Sequence, residues 1–275
     1  MKRILITGKG GFIGTAIETY LSRFPEAYAV SRVPLKTETP DAYDFQGADA
    51  IIHTAALVHR KETKHTQAQY DAVNRDLTAA LAKKAKREGV KQFILMSTMS
   101  VYGMRTGTIT KDTVPQPKTQ YGRSKLEAEQ SIAPLDCDTF RVTILRPPMV
   151  FGPGAKGNPA RLKRLSRLLP VCPDFENRRT AVSVDTLCEE VKALIDEPRS
   201  GIFFPQEKTP LSTGELIARA MMEQGRTPRH SRILNPAIRV LRAGTGIGKK
   251  AFGDLVYEDL YELPLPDSDR EETEN

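Results

Sequence analysis

The segment RILITGKGGFIGTAIETYL, residues 3–21, constrains this chain more than any other. A short apolar run, RILIT, stops at Gly8. Apolar residues then recur at Phe12, Ile13, Ala16, Ile17, Tyr20 and Leu21, the spacing of a helix buried along one side. Between them Gly8, Gly11 and Gly14 form G-x-x-G-x-x-G. In a strand–loop–helix unit the first glycine permits a tight turn, the second lets the backbone approach a pyrophosphate, and the third lets helix and strand pack closely. The free N–H groups and partial positive charge of the helix start suit phosphate oxygens. The loop therefore predicts a dinucleotide site at the extreme N-terminal side of the chain.

The pattern that follows extends the unit. Residues 27–32, 49–56, 92–98 and 140–147 read as further strands, and residues 70–89 and 120–133 as helices. Alternating strands and helices predict an α/β fold, a doubly wound parallel sheet with helices on both faces. After Pro147 a Pro/Gly loop, PPMVFGPGAKGNP, breaks the texture. Helices at about 159–169, 185–196 and 212–224 follow, with short extended pieces between them. This predicts a dinucleotide-binding core over 1–150 and a smaller α/β substrate-binding segment over 151–264, whose chain may cross back to the core. The acidic tail, 265–275, is expected to be disordered.

Composition narrows the class. No apolar run approaches the roughly 18 residues of a membrane span. The basic-then-apolar start MKRILIT is too short for a targeting signal, so a cytoplasmic setting is expected. Cys137, Cys172 and Cys188 show neither paired nor metal-type spacing, and no metal is expected. The formal net charge is +7 although the last eleven residues carry five acids and one arginine. Two stretches hold the excess of cations. Residues 156–179 contain Lys156, Arg161, Lys163, Arg164, Arg167, Arg178 and Arg179, and residues 226–250 contain five arginines, two lysines and no acid. A nucleic-acid face, a pocket for a doubly charged phosphate and a solvated basic surface all fit such runs. No nucleic-acid recognition motif accompanies them, and no such partner is expected. The stretch 233–242, ILNPAIRVLR, reads as a helix of the substrate segment, with a membrane surface as the lesser alternative.

Two short motifs carry chemistry. At the end of the second strand, where NAD-binding chains usually hold a carboxylate for the ribose hydroxyls, stand Ser31 and Arg32. A hydroxyl and a guanidinium suit a 2′-phosphate, so NADP(H) is favoured and NAD(H) is the alternative. Tyr121 and Lys125 are four apart on a predicted helix and share a face. Upstream, LMSTMSVYG brings the hydroxyls of Ser97, Thr98 and Ser100 to the carboxyl edge of the sheet, where ligands bind in such folds.

Together these pieces resemble the extended short-chain dehydrogenase/reductases, in the branch of NAD(P)-dependent nucleotide-sugar epimerases, dehydratases and reductases. The matching segments are TGKGGFIG, HTAA at 53–56, Asn74, STMSVYG, YGRSK and LRPPMVFGPG, in order over about residues 1–155. NRRTAVSVDTL at 177–187 and KKAFGDLVYE at 249–258 match more loosely. The resemblance implies a Rossmann-type fold. It implies that Tyr121 is the general acid/base, that Lys125 lowers the phenol's pKa and binds the nicotinamide ribose, and that Thr98 hydrogen-bonds the reacting oxygen. It puts Gly8, Gly11, Phe12, Ile13, Gly14, Thr54, Ala55, Ala56 and Pro147 on the cofactor, with His53 leading that lining or playing no part. Asn74 is expected to tie backbone elements together. Either Arg178 or Arg179, by a one-residue choice of register, would grip the substrate's diphosphate, aided by Lys163 and Arg164. Met149 stands where the family commonly has an asparagine against the sugar nucleotide.

Several chemistries share this set. A 4,6-dehydratase needs an acidic pair just after the Ser/Thr, and here Met99 and Ser100 stand there. The short substrate segment and the absent ribose carboxylate favour a reductase of a UDP-4-keto-6-deoxy amino sugar in surface-polysaccharide synthesis over an NAD-dependent UDP-sugar 4-epimerase. A non-catalytic dinucleotide sensor is the reading of another class. The resemblance further implies a homodimer built as a four-helix bundle from the helices around 74–88 and 120–133.

Overall fold

The computed structural model describes residues 1–35, 40–58, 62–63, 66–155, 157–258 and 260; Lys156 and the acidic tail lie outside them. In chain order the first part contains β1 (Lys2–Thr7), α1 (Phe12–Leu21), β2 (Tyr28–Val33), β3 (Ala50–His53), α2 (Thr66–Tyr70), α3 (Leu77–Arg87) and β4 (Gln92–Met96). It continues with β5 (Gly107–Ile109), α4 (Gln120–Ile132), β6 (Arg141–Leu145) and β7 (Met149–Phe151). Then come α5 (Asn158–Leu168), β8 (Cys172–Pro173), β9 (Ala181–Ser183), α6 (Val184–Asp196), β10 (Gly201–Phe203) and α7 (Thr213–Met222). The last are β11 (His230–Ser231), α8 (Asn235–Gly244), α9 (Gly246–Phe252) and β12 (Leu255–Tyr257).

Six strands form one sheet in the order β10–β6–β4–β3–β1–β2, with every pairing parallel. Strand alternation splits the core into two layers. Ile4, Ile6, Ile52 and Ile94 face α1 and α6, where they pack with Ile17, Leu21, Leu187 and Val191. Leu5, Ile51, Phe93 and Leu95 face α3 and α4, against Leu81, Ala85, Ala128 and Ile132. This is the expected doubly wound α/β sandwich. The sixth strand, β10, and the covering helix α6 come from beyond residue 150, so the chain returns to the core after its first excursion. From β1 the chain goes first to β2 on one side and then to β3 on the other. The carboxyl ends of β1 and β3 therefore flank a crevice, the usual ligand position in open α/β sheets.

The helix expected over 70–89 begins earlier, at Thr66, and its second turn, Asp71–Asp76, is a π-helix. Such a bulge inserts one residue and re-aims a side chain. Here Asn74 is fully buried. Its Oδ1 accepts the Leu57 N–H at 2.7 Å, and its Nδ2 donates to the Leu57 carbonyl at 3.1 Å and to Ser124 Oγ at 3.0 Å. One amide thus ties the loop after β3 to α4.

Beyond the core lie three two-stranded sheets, β8 with β11, β5 with β12, and β7 with β9. The helices α5, α7, α8 and α9 accompany them. Small apolar clusters hold this part, among them Phe175, Ile238 and Phe252, and Ala181, Leu211 and Leu216. No helix among the described residues is long and apolar enough to cross a membrane.

Candidate active site

Thr98 follows β4 in extended backbone, with φ −168° and ψ 148°. Its Oγ1 accepts the Ser100 N–H at 3.1 Å, which fixes the side chain at the carboxyl edge of the sheet. Tyr121 stands in the first turn of α4, whose start is capped by Thr119 Oγ1 accepting the Gly122 N–H at 3.0 Å. The edge and the helix start meet: the Thr98 hydroxyl, which donates to Ser100 Oγ at 3.2 Å, is near enough to the Tyr121 phenol to pull its pKa down. The Tyr121 ring leans on Tyr70, centroids 6.4 Å apart.

Burial pushes the Tyr121 phenol up to about 12, against the pull of the Thr98 hydroxyl and with a smaller push from Tyr70. The expected lowering by a nearby ammonium is absent: desolvation of the phenolate dominates, and Lys125 is not among the causes of the shift. Tyr121 is therefore a protonated group at neutral pH, a proton donor in waiting.

Lys125, one turn along α4, is 1 % exposed, and its Nζ has no hydrogen-bond partner. Burial pulls its pKa down to about 8, and Glu129 pulls it back up. Glu129 does not pair with it, because that carboxylate is committed elsewhere. Arg146 Nη2 meets Glu129 Oε2 at 2.6 Å, Ser97 Oγ donates to Glu129 Oε1, and Arg146 Nη1 donates to Tyr102 Oη at 2.7 Å. Tyr257 closes the set by donating its hydroxyl to the Arg146 carbonyl at 2.8 Å. Ser97 thus faces a buried ion pair, leaving Thr98 and Ser100 as the hydroxyls at the edge. A buried amine with unused donors is costly unless a ligand completes it. Sugar hydroxyls of a dinucleotide fit that need.

The glycine loop has the matching shape. Gly8 adopts φ +108°, a conformation side-chain-bearing residues avoid. A Cβ at Gly10 or Gly11 would meet no protein atom within 4 Å, so open space lies over the loop. Gly14 is different. A Cβ there would stand 2.6 Å from Arg32 Nη1 and 2.7 Å from Thr54 Oγ1. The third glycine lets α1 approach both the end of β2 and the loop after β3. Ala55 approaches Gly8 to 3.5 Å of a built Cβ, and Thr54 Oγ1 donates to the Thr7 carbonyl at 2.7 Å. Ala56 is half-buried beside it. Phe12 lies 3.7 Å from a built Cβ on Gly154, so α1 touches the Pro/Gly loop, and Ile13 packs on the core. The Pro147 carbonyl accepts the Met99 N–H at 2.9 Å, locking that loop to the turn after Thr98.

Arg32 is clamped to this loop. Its Nε meets Glu18 at 2.9 Å, Nη1 the Gly8 carbonyl at 3.2 Å and Nη2 Thr15 Oγ1 at 2.9 Å. Ser31 beside it is exposed. His53 does not line the site. It is fully buried, with Nδ1 2.8 Å from Thr7 Oγ1, Nε2 2.9 Å from Thr78 Oγ1 and its ring stacked on Phe93. Burial and the Lys125 charge drive its pKa down to about 3, so it is a neutral strut.

The cations of the two basic stretches fall into place differently from their spacing in sequence. Arg179 is largely buried, its Nη1 donating to the Gly253 carbonyl at 2.7 Å. Arg178 is exposed, with its backbone N–H on Asp254 at 2.7 Å. Lys250 has its pKa pulled down by burial and then by the charges of Arg161, Arg105 and Arg179. Four cations from four separate segments thus share one neighbourhood, a concentration that favours a multiply charged anion. Lys163 is not in it; its Nζ pairs with Glu223 at 2.9 Å. Lys163, Arg164 and Met149 instead line a cavity of about 290 Å³ with Phe151 and Leu216. Lys250, Arg105 and Arg161 escaped the sequence reading as a set. The only hint was the loose match at 249–258.

A model of the NAD dependent epimerase/dehydratase family matches residues 4–201. A UDP-glucose 4-epimerase of Vibrio cholerae is 32% identical over 245 residues, covering 78% of this chain and 74% of that protein. A GDP-6-deoxy-D-mannose reductase of Pseudomonas aeruginosa is 28% identical over 165 residues, 56% of this chain and 54% of that one. Among solved structures, a UDP-glucuronic acid 4-epimerase of Bacillus cereus in complex with NAD superposes with a TM-score of 0.69 at 19% identity, over 94% of this chain and 90% of that one. The family model covers more than half of the chain, and the chain belongs to the NAD dependent epimerase/dehydratase family, with nucleotide-sugar epimerases and reductases among its relatives.

Proposed function

We propose that this protein reduces a keto-sugar carried on a nucleoside diphosphate, with UDP-4-keto-6-deoxy amino sugars as the substrate class and NADPH as the preferred cofactor. The observation that carries the reading is the buried, partnerless Lys125 amine one turn along α4 from the Tyr121 phenol, with the Thr98 hydroxyl near that phenol. A reduced nicotinamide supplies hydride to the carbonyl carbon. The chain supplies the rest. Tyr121 gives its phenol proton to the carbonyl oxygen, converting C=O to CH–OH, and Thr98 holds that oxygen by a hydrogen bond. Lys125 donates to ribose hydroxyls, and its positive charge favours the phenolate left behind. Gly8, Gly11, Phe12, Ile13 and Gly14 carry the cofactor's phosphates. Thr54, Ala55, Ala56 and Pro147 form its wall, and Ser31 with Arg32 meets the 2′-phosphate. Arg179, with Arg105, Arg161 and Lys250, takes the sugar nucleotide's diphosphate; Met149 lines the separate cavity with Lys163 and Arg164, where the sugar would reach it, and Arg178 lies outside this set.

A protonated Tyr121 suits the reducing direction, since hydride arrival at a carbonyl demands a proton donor. The division of labour is a cofactor half over 1–150 and a substrate half over 151–264, with β10 and α6 returned to the core. Such an enzyme draws on cytoplasmic NADPH. The outer faces of α3 and α4 are the surfaces for a homodimeric four-helix bundle, which sedimentation at two concentrations tests.

A second reading, an NAD-dependent UDP-sugar 4-epimerase, is favoured by the 32% identity to the Vibrio cholerae UDP-glucose 4-epimerase. One experiment separates the two. Purified protein is assayed for NADPH oxidation with a UDP-4-keto-6-deoxy amino sugar, and for UDP-glucose/UDP-galactose interconversion without added cofactor. Stoichiometric NADPH consumption supports the reductase. Interconversion with tightly retained NAD, and no net oxidation, overturns it. A non-catalytic sensor would bind cofactor and do neither.

A further inference from the structure

Arg32 is the cation beside the glycine loop, and a carboxylate stands against it. Along β2 it is in register with Ile6 of β1, whose side chain lies in the layer facing α1, so Arg32 points toward α1 as well. Glu18 is on that helix, about one turn beyond Thr15. Arg32 Nε donates to Glu18 Oε2 at 2.9 Å, Nη2 to Thr15 Oγ1 at 2.9 Å and Nη1 to the Gly8 carbonyl at 3.2 Å. The guanidinium lies over the third glycine, where a Cβ on Gly14 would stand 2.6 Å from Nη1. A guanidinium has more N–H groups than these bonds use. The remainder have no partner among the described residues.

Stability alone does not call for Glu18. The pair is part-exposed, 19% at Arg32 and 37% at Glu18, and an ion pair at such a surface contributes little. Thr15 and the Gly8 carbonyl already tie Arg32 to α1 and to the loop. What Glu18 changes is charge. Among the described residues its carboxylate has no other partner, and Arg32 has no other carboxylate. The pair is neutral in sum. A 2′-phosphate reaching the spare N–H groups would meet well-aimed donors but little net positive field, with a carboxylate on the far side of the guanidinium. A ribose carrying only hydroxyls meets no such repulsion. NADPH and NADH differ only in that phosphate, so Glu18 acts on the difference between them.

We propose that Glu18 sets the balance between NADPH and NADH: it aims Arg32 and cancels most of its charge, so that the protein accepts both cofactors with a modest preference for NADPH. Glu18 is a positioning residue, acting through Arg32. The inference rests on the reading that Arg32 meets the 2′-phosphate.

The test is calorimetric titration of the full chain with NADPH and with NADH, in the wild type and in Glu18→Gln, Glu18→Asp and Arg32→Met. The readout is the ratio of the two affinities. Glu18→Gln keeps an oxygen for Arg32 Nε and removes the charge. Its NADPH affinity should rise about fivefold, the weight of one exposed charge interaction, while NADH stays within a factor of ~2. The gain should shrink as salt is raised. Glu18→Asp keeps the charge on a shorter side chain, and its NADPH/NADH ratio should stay at or below that of the wild type. Arg32→Met should lower the ratio about 10-fold, the loss of charge-assisted hydrogen bonds, and adding Glu18→Gln to it should change nothing further. An unchanged or lower ratio in Glu18→Gln, or a higher one in Glu18→Asp, overturns the proposal. So do equal shifts for both cofactors, which would make Glu18 a stitch between α1 and β2. If Arg32→Met leaves the ratio unchanged, the 2′-phosphate assignment falls and the proposal with it. If Arg32→Met lowers the ratio and Glu18→Gln does not raise it, the proposal alone falls.

Discussion

The two halves proposed for this molecule, one for the cofactor and one for the substrate, are built on opposite plans. Around the glycine loop each contact comes from residues close in sequence or from adjacent strand ends: Gly8 against Ala55, Gly14 against Arg32 and Thr54. Backbone groups and small side chains form it, inside the six-stranded sheet. The cationic cluster draws Arg105, Arg161, Arg179 and Lys250 from four distant segments, among two-stranded sheets and short helices. On the proposed function, the first plan fixes the cofactor by shape and the second fixes the sugar nucleotide by charge. A shaped backbone site accepts few side-chain changes. A charge cluster tolerates rearrangement so long as the sum survives, which suits a half that must follow the substrate.

The comparison can be broken at its junction. Tyr121→Phe removes the proton but neither binding surface. Turnover should fall on the order of 10³-fold, with dissociation constants for NADPH and UDP within a factor of ~2 of wild type. Loss of binding instead would make Tyr121 a structural residue. Next in size is the ion pair behind Lys125. Glu129→Gln leaves Arg146 buried without a counter-charge and should lower unfolding stability by about 3 kcal/mol, read by urea denaturation; an unchanged midpoint would show that the Tyr102 and Tyr257 hydroxyls suffice.

Gly14→Ala sharpens the contrast. The added methyl has no room between Arg32 and Thr54. NADPH affinity should drop about 10- to 100-fold, the equivalent of an overpacked contact, while UDP affinity holds. The smallest effect concerns His53. Unfolded, it takes a proton near 6.5; folded, it stays neutral down to about 3. Between those values the unfolded state binds more protons, so stability falls as pH falls. The His53 contribution is about 1.4 kcal/mol per pH unit well below 6.5. His53→Gln should flatten the stability profile between pH 6.5 and 5, and an unchanged slope would assign the acid sensitivity elsewhere.

The same contrast explains what could be read in advance. The strand–loop–helix start, the parallel sheet and the Tyr121/Lys125 spacing are local patterns, and the fold followed from them. For His53 the sequence leaves two readings open, lining the cofactor or playing no part, and strand alternation decides for the second. As the last residue of β3 it shares a face with Ile51, two positions back, and strict alternation sends it into the α3 layer, toward Thr78 and Phe93. The π-helical turn at 71–76 leaves no compositional mark, and it became visible only through the partners of Asn74. Arg146 was legible in principle, as an arginine ending a buried strand that must find a carboxylate. The cationic cluster was not. Arg161 and Lys163 sit two apart on α5, yet one neighbours Lys250 and the other pairs with Glu223. Only the packing of α5, α7 and α9 separates them.

The most direct test of the two-plan account is calorimetric titration of the wild type and of an Arg105→Met, Lys250→Met double variant with NADPH and with UDP. The account predicts that the double variant loses about 10- to 100-fold in UDP affinity, the weight of charge-assisted hydrogen bonds, and keeps its NADPH affinity. Unchanged UDP binding, or a parallel loss of both ligands at an unaltered thermal midpoint, would contradict it.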